Sequence, residues 1–211
     1  MFFNFKKKQP EVIAFISESK AGLVKTNPIS LSKTQYPEWW KNVPTSSFDW
    51  DKLMLNNTVK ACPGIINTLK RGLILPMWGN GEIDIVKNSN YEFDDNDTCI
   101  SYATNSPKDH ATNYLHLSIT TPWLIRSDVK LLSTHPIYAD VSYPPYNVED
   151  AIIPAKKIVP VDFRIFISKA NDDPIRLINN TPILYFMPIG DEVNLKIEII
   201  SDTEFKKYAS V

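Results

Sequence analysis

The chain has 211 residues, with 23 lysines and arginines set against 24 aspartates and glutamates. So close a balance leaves no global field to hold a polyanion or an anionic membrane surface, which argues against nucleic acid and membrane as obligate partners. The length suits one sizeable core, and 16 prolines beside 6 glycines, among many Ile, Thr, Tyr and Asn residues, favour short strands joined by proline-broken turns over long helices.

The opening "MFFNFKKKQP" places its apolar residues before its lysines, the reverse of a secretory leader, and no apolar run reaches membrane-spanning length. A soluble, cytoplasm-type setting is the expectation. Glu11 to Ser19 reads as a first strand. Residues 20–57 follow with prolines at 28, 37 and 44 and no sustained period. They read as an extended, aromatic-rich arm within a single β-rich domain over 1–211. Inside the arm "PEWW" starts a helical turn, because proline suits the first helical position. Trp39, Trp40, Phe48 and Trp50 then either pack on their own domain or form a recognition patch, and they are the interface candidates.

The stretch "CPGIINTLKRG" has a proline at its start and Gly72 at its end, with Ile65, Ile66 and Leu69 on one face: a helix of about two turns. Cys62 and Cys99 either bridge or remain separate thiols, and a disulfide-dependent secreted domain would carry more cysteines. "LILP" reads as a buried strand. After the turn signal Asn80-Gly81, "EIDIV" alternates Ile83 and Ile85 inward against Glu82 and Asp84. "TCISYAT", "YLHLSITTPWLIR", "VKLLSTHPIY", "VDFRIFIS", "TPILYFMPI" and "EVNLKIEII" continue as strands. The last is the cleanest, with Val193, Leu195, Ile197 and Ile199 on one face. Phe163, Ile165 and Ile167 alternate inward in the same way. "DTEFKKYASV" reads as a closing helix. Eight to ten strands with one or two short helices give a mainly β fold: an antiparallel β-sandwich, jelly-roll-like in its connections, with an irregular N-terminal aromatic arm.

Catalytic chemistry is sparsely signalled. His110 and His116 fall on one strand face and His135 on a later strand, which makes them the candidate metal ligands, but the His-x-Asp pattern of a non-haem iron triad is absent. The acidic run at Asp94, Asp95 and Asp97 lacks the glycine and distal glutamate of a calcium loop and reads as a solvated turn. Nucleophile elbows, phosphate loops and paired zinc cysteines are missing, so no cofactor is expected.

The order "YPEWWKNVP", "TVKACPGIINTLKRGLILPMWGNGEIDI", "TPWLIRSDVKLLSTHPIY", "VDFRIFI", "TPILYFMPI" resembles a family of uncharacterised proteins of tailed bacteriophages, cyanophages especially. The resemblance spans roughly residues 36–190 and departs at Gly79-Asn80-Gly81. The family has no assigned activity; taken with the aromatic arm, the β-rich core and the missing catalytic clusters, the expectation is a phage structural or virion-associated protein, a head, neck or tail accessory located in the virion or the host cytoplasm, with itself or other phage structural proteins as partners. The alternatives from other classes are a metal-dependent, non-haem iron-type jelly-roll enzyme and a glycan or small-molecule binding module using the tryptophans.

Overall fold

The structure, a computed structural model, describes residues 8–36, 38–49, 51–84, 90–93, 99–102, 113–136, 145–170 and 173–210. Its longest described strand is β9 (Tyr114–Ser127), where buried and more exposed positions alternate from Tyr114 to Trp123. On one edge β9 pairs with β13 (Ile158–Ser168). On its other edge it takes β8 (Cys99–Tyr102) towards its middle and β1 (Glu11–Ser17) at its end. β11 (Tyr146–Val148) extends this sheet beyond β13, and β16 (Asn194–Ile200) extends it beyond β1. A second, fully antiparallel sheet runs β12 (Ala151–Ile153), β10 (Leu131–Thr134), β15 (Pro182–Pro188), β5 (Leu73–Pro76), β2 (Ser30–Leu31). β14 (Ile175–Leu177), β6 (Gly81–Asp84) and β7 (Asn90–Phe93) form a small third sheet, and among the described residues β3 (Ser46–Asp49) pairs only with β4 (Met54–Asn57).

From β9 onward the chain passes back and forth between the two main sheets: β9, β11, β13 and β16 in the first, β10, β12 and β15 in the second. That alternation is the connectivity of a jelly roll. The fold is therefore the mainly β, jelly-roll-like sandwich expected from the sequence, although not every pairing is antiparallel. β1 and β16 pair parallel, because β16 reaches its neighbour from the opposite sheet and not through a hairpin. Sixteen strands are described, more than the eight to ten expected, since ladders as short as β2 and β14 leave no readable period. Four short helices are described, where one or two were expected: α1 (Leu23–Thr26) and α2 (Glu38–Asn42) are single turns in the arm, and α3 (Pro63–Arg71) and α4 (Asp202–Ala209) are longer.

The core lies between the two main sheets, with residues such as Ala14, Leu117 and Ile165 facing Leu73, Leu131 and Phe186. Ile83, Phe163, Ile165, Ile167 and Val193 are buried there, Leu195 and Ile197 pack against it, and Ile85 lies outside the described residues. Ile199 breaks the expected pattern at 52 % exposure: it shares the face of its neighbour Ile16 but sits on the outermost strand of the sheet. On the reverse face, α4 lays Phe205 and Tyr208 over Ile13, Phe15 and Leu124. Ser201 caps that helix by accepting the Glu204 N–H at 3.3 Å, the start of a Ser-x-x-Glu capping box. Among the described residues no helix is long and apolar enough to cross a membrane.

Candidate interaction surface

The arm begins tied to the sandwich. Asn27, 2 % exposed, donates from Nδ2 to the Met77 carbonyl at 3.0 Å and to Asn179 Oδ1 at 2.8 Å, and Ile29 enters the main core. β2 then joins the second sheet beside β5. An extended chain cannot satisfy its own backbone, so the remainder of the arm folds into short elements of its own. Trp40 on α2 is the centre of this unit and is 9 % exposed. Its ring stacks on Tyr36 at 6.4 Å, meets Trp39 edge-on at 5.7 Å and lies under the Lys60 ammonium at 6.0 Å. Lys60 Nζ also donates to the Lys41 carbonyl at 3.2 Å. Trp40 belongs to neither apolar cluster of the sandwich; Tyr36, Trp39 and Lys60 pack around it as a small satellite. Trp39 is half-buried beside it.

The β3–β4 hairpin projects from this satellite. Its base is closed by Thr58, whose N–H and Oγ1 both donate to the Thr45 carbonyl at 3.1 Å. Its turn is held by Asp49, whose Oδ1 accepts the N–H groups of Asp51 at 3.1 Å and Lys52 at 3.2 Å, an Asx turn. Phe48 faces Leu55 across the ladder, so the two form an apolar pair on one face. Both are open to solvent, at 45 % and 65 %. At the tip Leu53 is 75 % exposed and adopts φ 50°, a left-handed backbone that leucine disfavours. Of the nine exposed large apolar residues described, five (Phe48, Leu53, Met54, Leu55 and Val59) fall on this hairpin and its exit, so the exposure is local to it. Trp50 lies outside the described residues. Nothing in "SSFDWDKLMLNN" alternates cleanly enough to announce a hairpin; the Asp49-x-Asp51 spacing around the turn was the one usable signal.

The two described histidines, His116 and His135, lie at different sheets. His116 points to the outer face of the first sheet, stacking on Phe166 of β13 at 5.9 Å. His135 follows β10 in the second sheet and meets Tyr146, part of the inner core, at 6.0 Å. His110, like Asp94, Asp95 and Asp97, lies outside the described residues, and among those described no three His, Cys, Asp or Glu side chains converge. Cys62 is a free, exposed thiol. Burial holds the His135 imidazole below its ordinary 6.5, against a smaller opposing pull from Asp150, and pushes the Tyr146 phenol up to about 12. A histidine kept neutral in the fold but free to protonate when unfolded draws protons towards the unfolded state, so stability falls as pH drops below about 6.5. Thermal unfolding between pH 7.5 and 5.5 should show a slope that His135→Gln flattens; an unchanged slope would place its cause in other groups.

A cleft of about 370 Å³ opens between the end of β1 and α4, lined by Ser17, Ser19, Thr120, Asp202 and Lys206 among others. Asp202 Oδ1 accepts the N–H of Ser19 at 3.2 Å and its hydroxyl at 2.8 Å, and these bonds hold its carboxyl below the usual carboxylate range. The carboxylate thus ties α4 to the turn that follows β1. No family model matches the chain, and no curated protein matches it. Among the described residues, the surface that stands out is the hairpin, where most of the exposed large apolar side chains gather.

Proposed function

We propose that the chain is a structural or virion-associated protein of a tailed bacteriophage, a head, neck or tail accessory that acts through protein–protein contacts made by the β3–β4 hairpin. One observation carries the contact: apolar exposure is concentrated on a hairpin that stands off both apolar clusters of the sandwich and ends in a leucine with a left-handed backbone. An isolated two-stranded ladder is marginal in water, and exposed apolar pairs on one mark a surface that is covered in use. The phage setting is supported by the order of segments over residues 36–190. Partners are further copies of the chain or other phage structural proteins, and the working location is the virion or the host cytoplasm.

Two measurements test this. Mass spectrometry of purified particles should find the protein; its absence from particles while abundant in infected cells overturns the virion assignment. A Phe48→Ser, Leu55→Ser variant should keep the thermal unfolding transition of the sandwich, because the hairpin belongs to neither of its apolar clusters and the lost cross-strand pair is worth about 0.2 to 1 kcal/mol. The same variant should lose at least about tenfold in incorporation or partner binding, the order expected of interface anchors. Normal incorporation of a stably folded variant would remove the hairpin from the contact.

A further inference from the structure

Quite apart from the hairpin, the last strand of the first sheet is built to be paired again. β16 has β1 on one side, and no described strand lies on the other. The helix that follows does not cross this open edge: α4 packs over β1, β9 and β13. The groups presented there follow from a single bond, since Asn194 N–H donates to the Pro10 carbonyl at 2.9 Å, towards β1. Backbone N–H and C=O groups alternate in direction along a strand, so Leu195, Ile197 and Ile199 turn theirs to the open edge. On the inner face the strand carries those same three residues, with Ile199 52 % exposed. On its outer face it carries Lys196 and Glu198, 2.5 Å apart.

We propose that two copies of the chain pair through β16, antiparallel about Ile197, so that their first sheets join into one. In this register Ile197 exchanges both backbone bonds with Ile197 of the second copy, and Leu195 does so with Ile199, in both directions. Lys196 of each copy lies opposite Glu198 of the other. The exposed Ile199 is covered by Leu195. Charge selects this register: sliding by two residues sets lysine against lysine or glutamate against glutamate, and a parallel in-register pair sets each charge against itself. A slip of one residue turns the apolar face over. Lysine on an edge strand ordinarily discourages pairing, but here the opposite charge two residues on makes the strand complementary to itself under a twofold axis.

Sedimentation of the full chain over a range of concentrations tests the pairing, with dilute thermal unfolding confirming that each variant folds. Wild type should dimerise. Lys196→Glu and Glu198→Lys should each weaken the dimer at least about tenfold, because each turns two attractive cross-strand pairs into two repulsive ones. Mixing the two variants should restore a dimer, since each supplies the charge that the other lacks, and the double variant should dimerise alone. A wild-type chain that stays monomeric overturns the proposal, as does a dimer that both single variants leave intact. A dimer lost in the Phe48→Ser, Leu55→Ser variant and kept in Lys196→Glu also overturns it, and assigns self-association to the hairpin.

Discussion

Replacing Ile165 with alanine is expected to lower the stability of the fold by about 2 to 5 kcal/mol. Ile165 is fully buried at the middle of β13, opposite Leu117 on β9 and Val148 on β11. With ladders on both sides, the backbone at this point cannot move inward to fill the space left by the removed carbons. The loss therefore includes the cavity as well as the transfer of the side chain from water. Denaturant unfolding should show a lower midpoint with an unchanged slope, the signature of lost stability in an otherwise similar transition. Ile199→Ala is the control in dilute protein: the same chemical change on a residue 52 % exposed should cost well under 1 kcal/mol. A cost below about 1 kcal/mol at Ile165 would mean that the space between the sheets is not close-packed there.

The contrast between these two isoleucines shows what the sequence made legible. Period-two alternation in "VDFRIFIS" and "EVNLKIEI" located β13 and β16 and assigned their faces, because a pleat imposes that period on any strand with one buried side. It could not say that β13 is flanked on both edges while β16 has a described strand on one side only. Position within a sheet is decided by pairings between residues far apart in the chain, such as Glu11 with Asn194. The same limit hid the parallel β1–β16 pair. α3 was readable at both ends, since proline at the first helical position and Gly72 after the last are local signals. The arm was half legible. "PEWW" gave α2, and four aromatic residues marked the arm as either self-packing or adhesive. The division of roles among them was not: Trp40 is turned into the satellite by Tyr36, Trp39 and Lys60, while Phe48 is left at the surface beside Leu55. Nothing in residue spacing distinguishes a tryptophan that is buried by a lysine twenty positions later from a phenylalanine that is not.

Gly72→Ala is expected to destabilise the protein by about 1 to 3 kcal/mol, for a steric reason and not a conformational one. The residue ends α3 with φ −84°, a backbone that any amino acid adopts, so glycine is not needed for its flexibility. It is needed for its lack of a side chain. A Cβ at this position would fall within the ring of Tyr185 on β15. That ring is 7 % exposed, and its hydroxyl donates to the Thr68 carbonyl of α3, so it has no free direction in which to retreat. The same corner is fixed from the other side: Ser32 donates its N–H to the Gly72 carbonyl at 2.8 Å and its hydroxyl to the Leu69 carbonyl at 2.6 Å. Helix α3, β5 and the start of the arm therefore meet at one close approach of backbone to aromatic ring. A double-mutant cycle separates the causes. In a Tyr185→Leu background the added methyl group should cost little beyond the loss from Tyr185→Leu itself, because the atoms that it would strike are gone. An equal cost of Gly72→Ala in both backgrounds would place the requirement for glycine in the helix end itself, and would remove Tyr185 from the account of why the chain turns there.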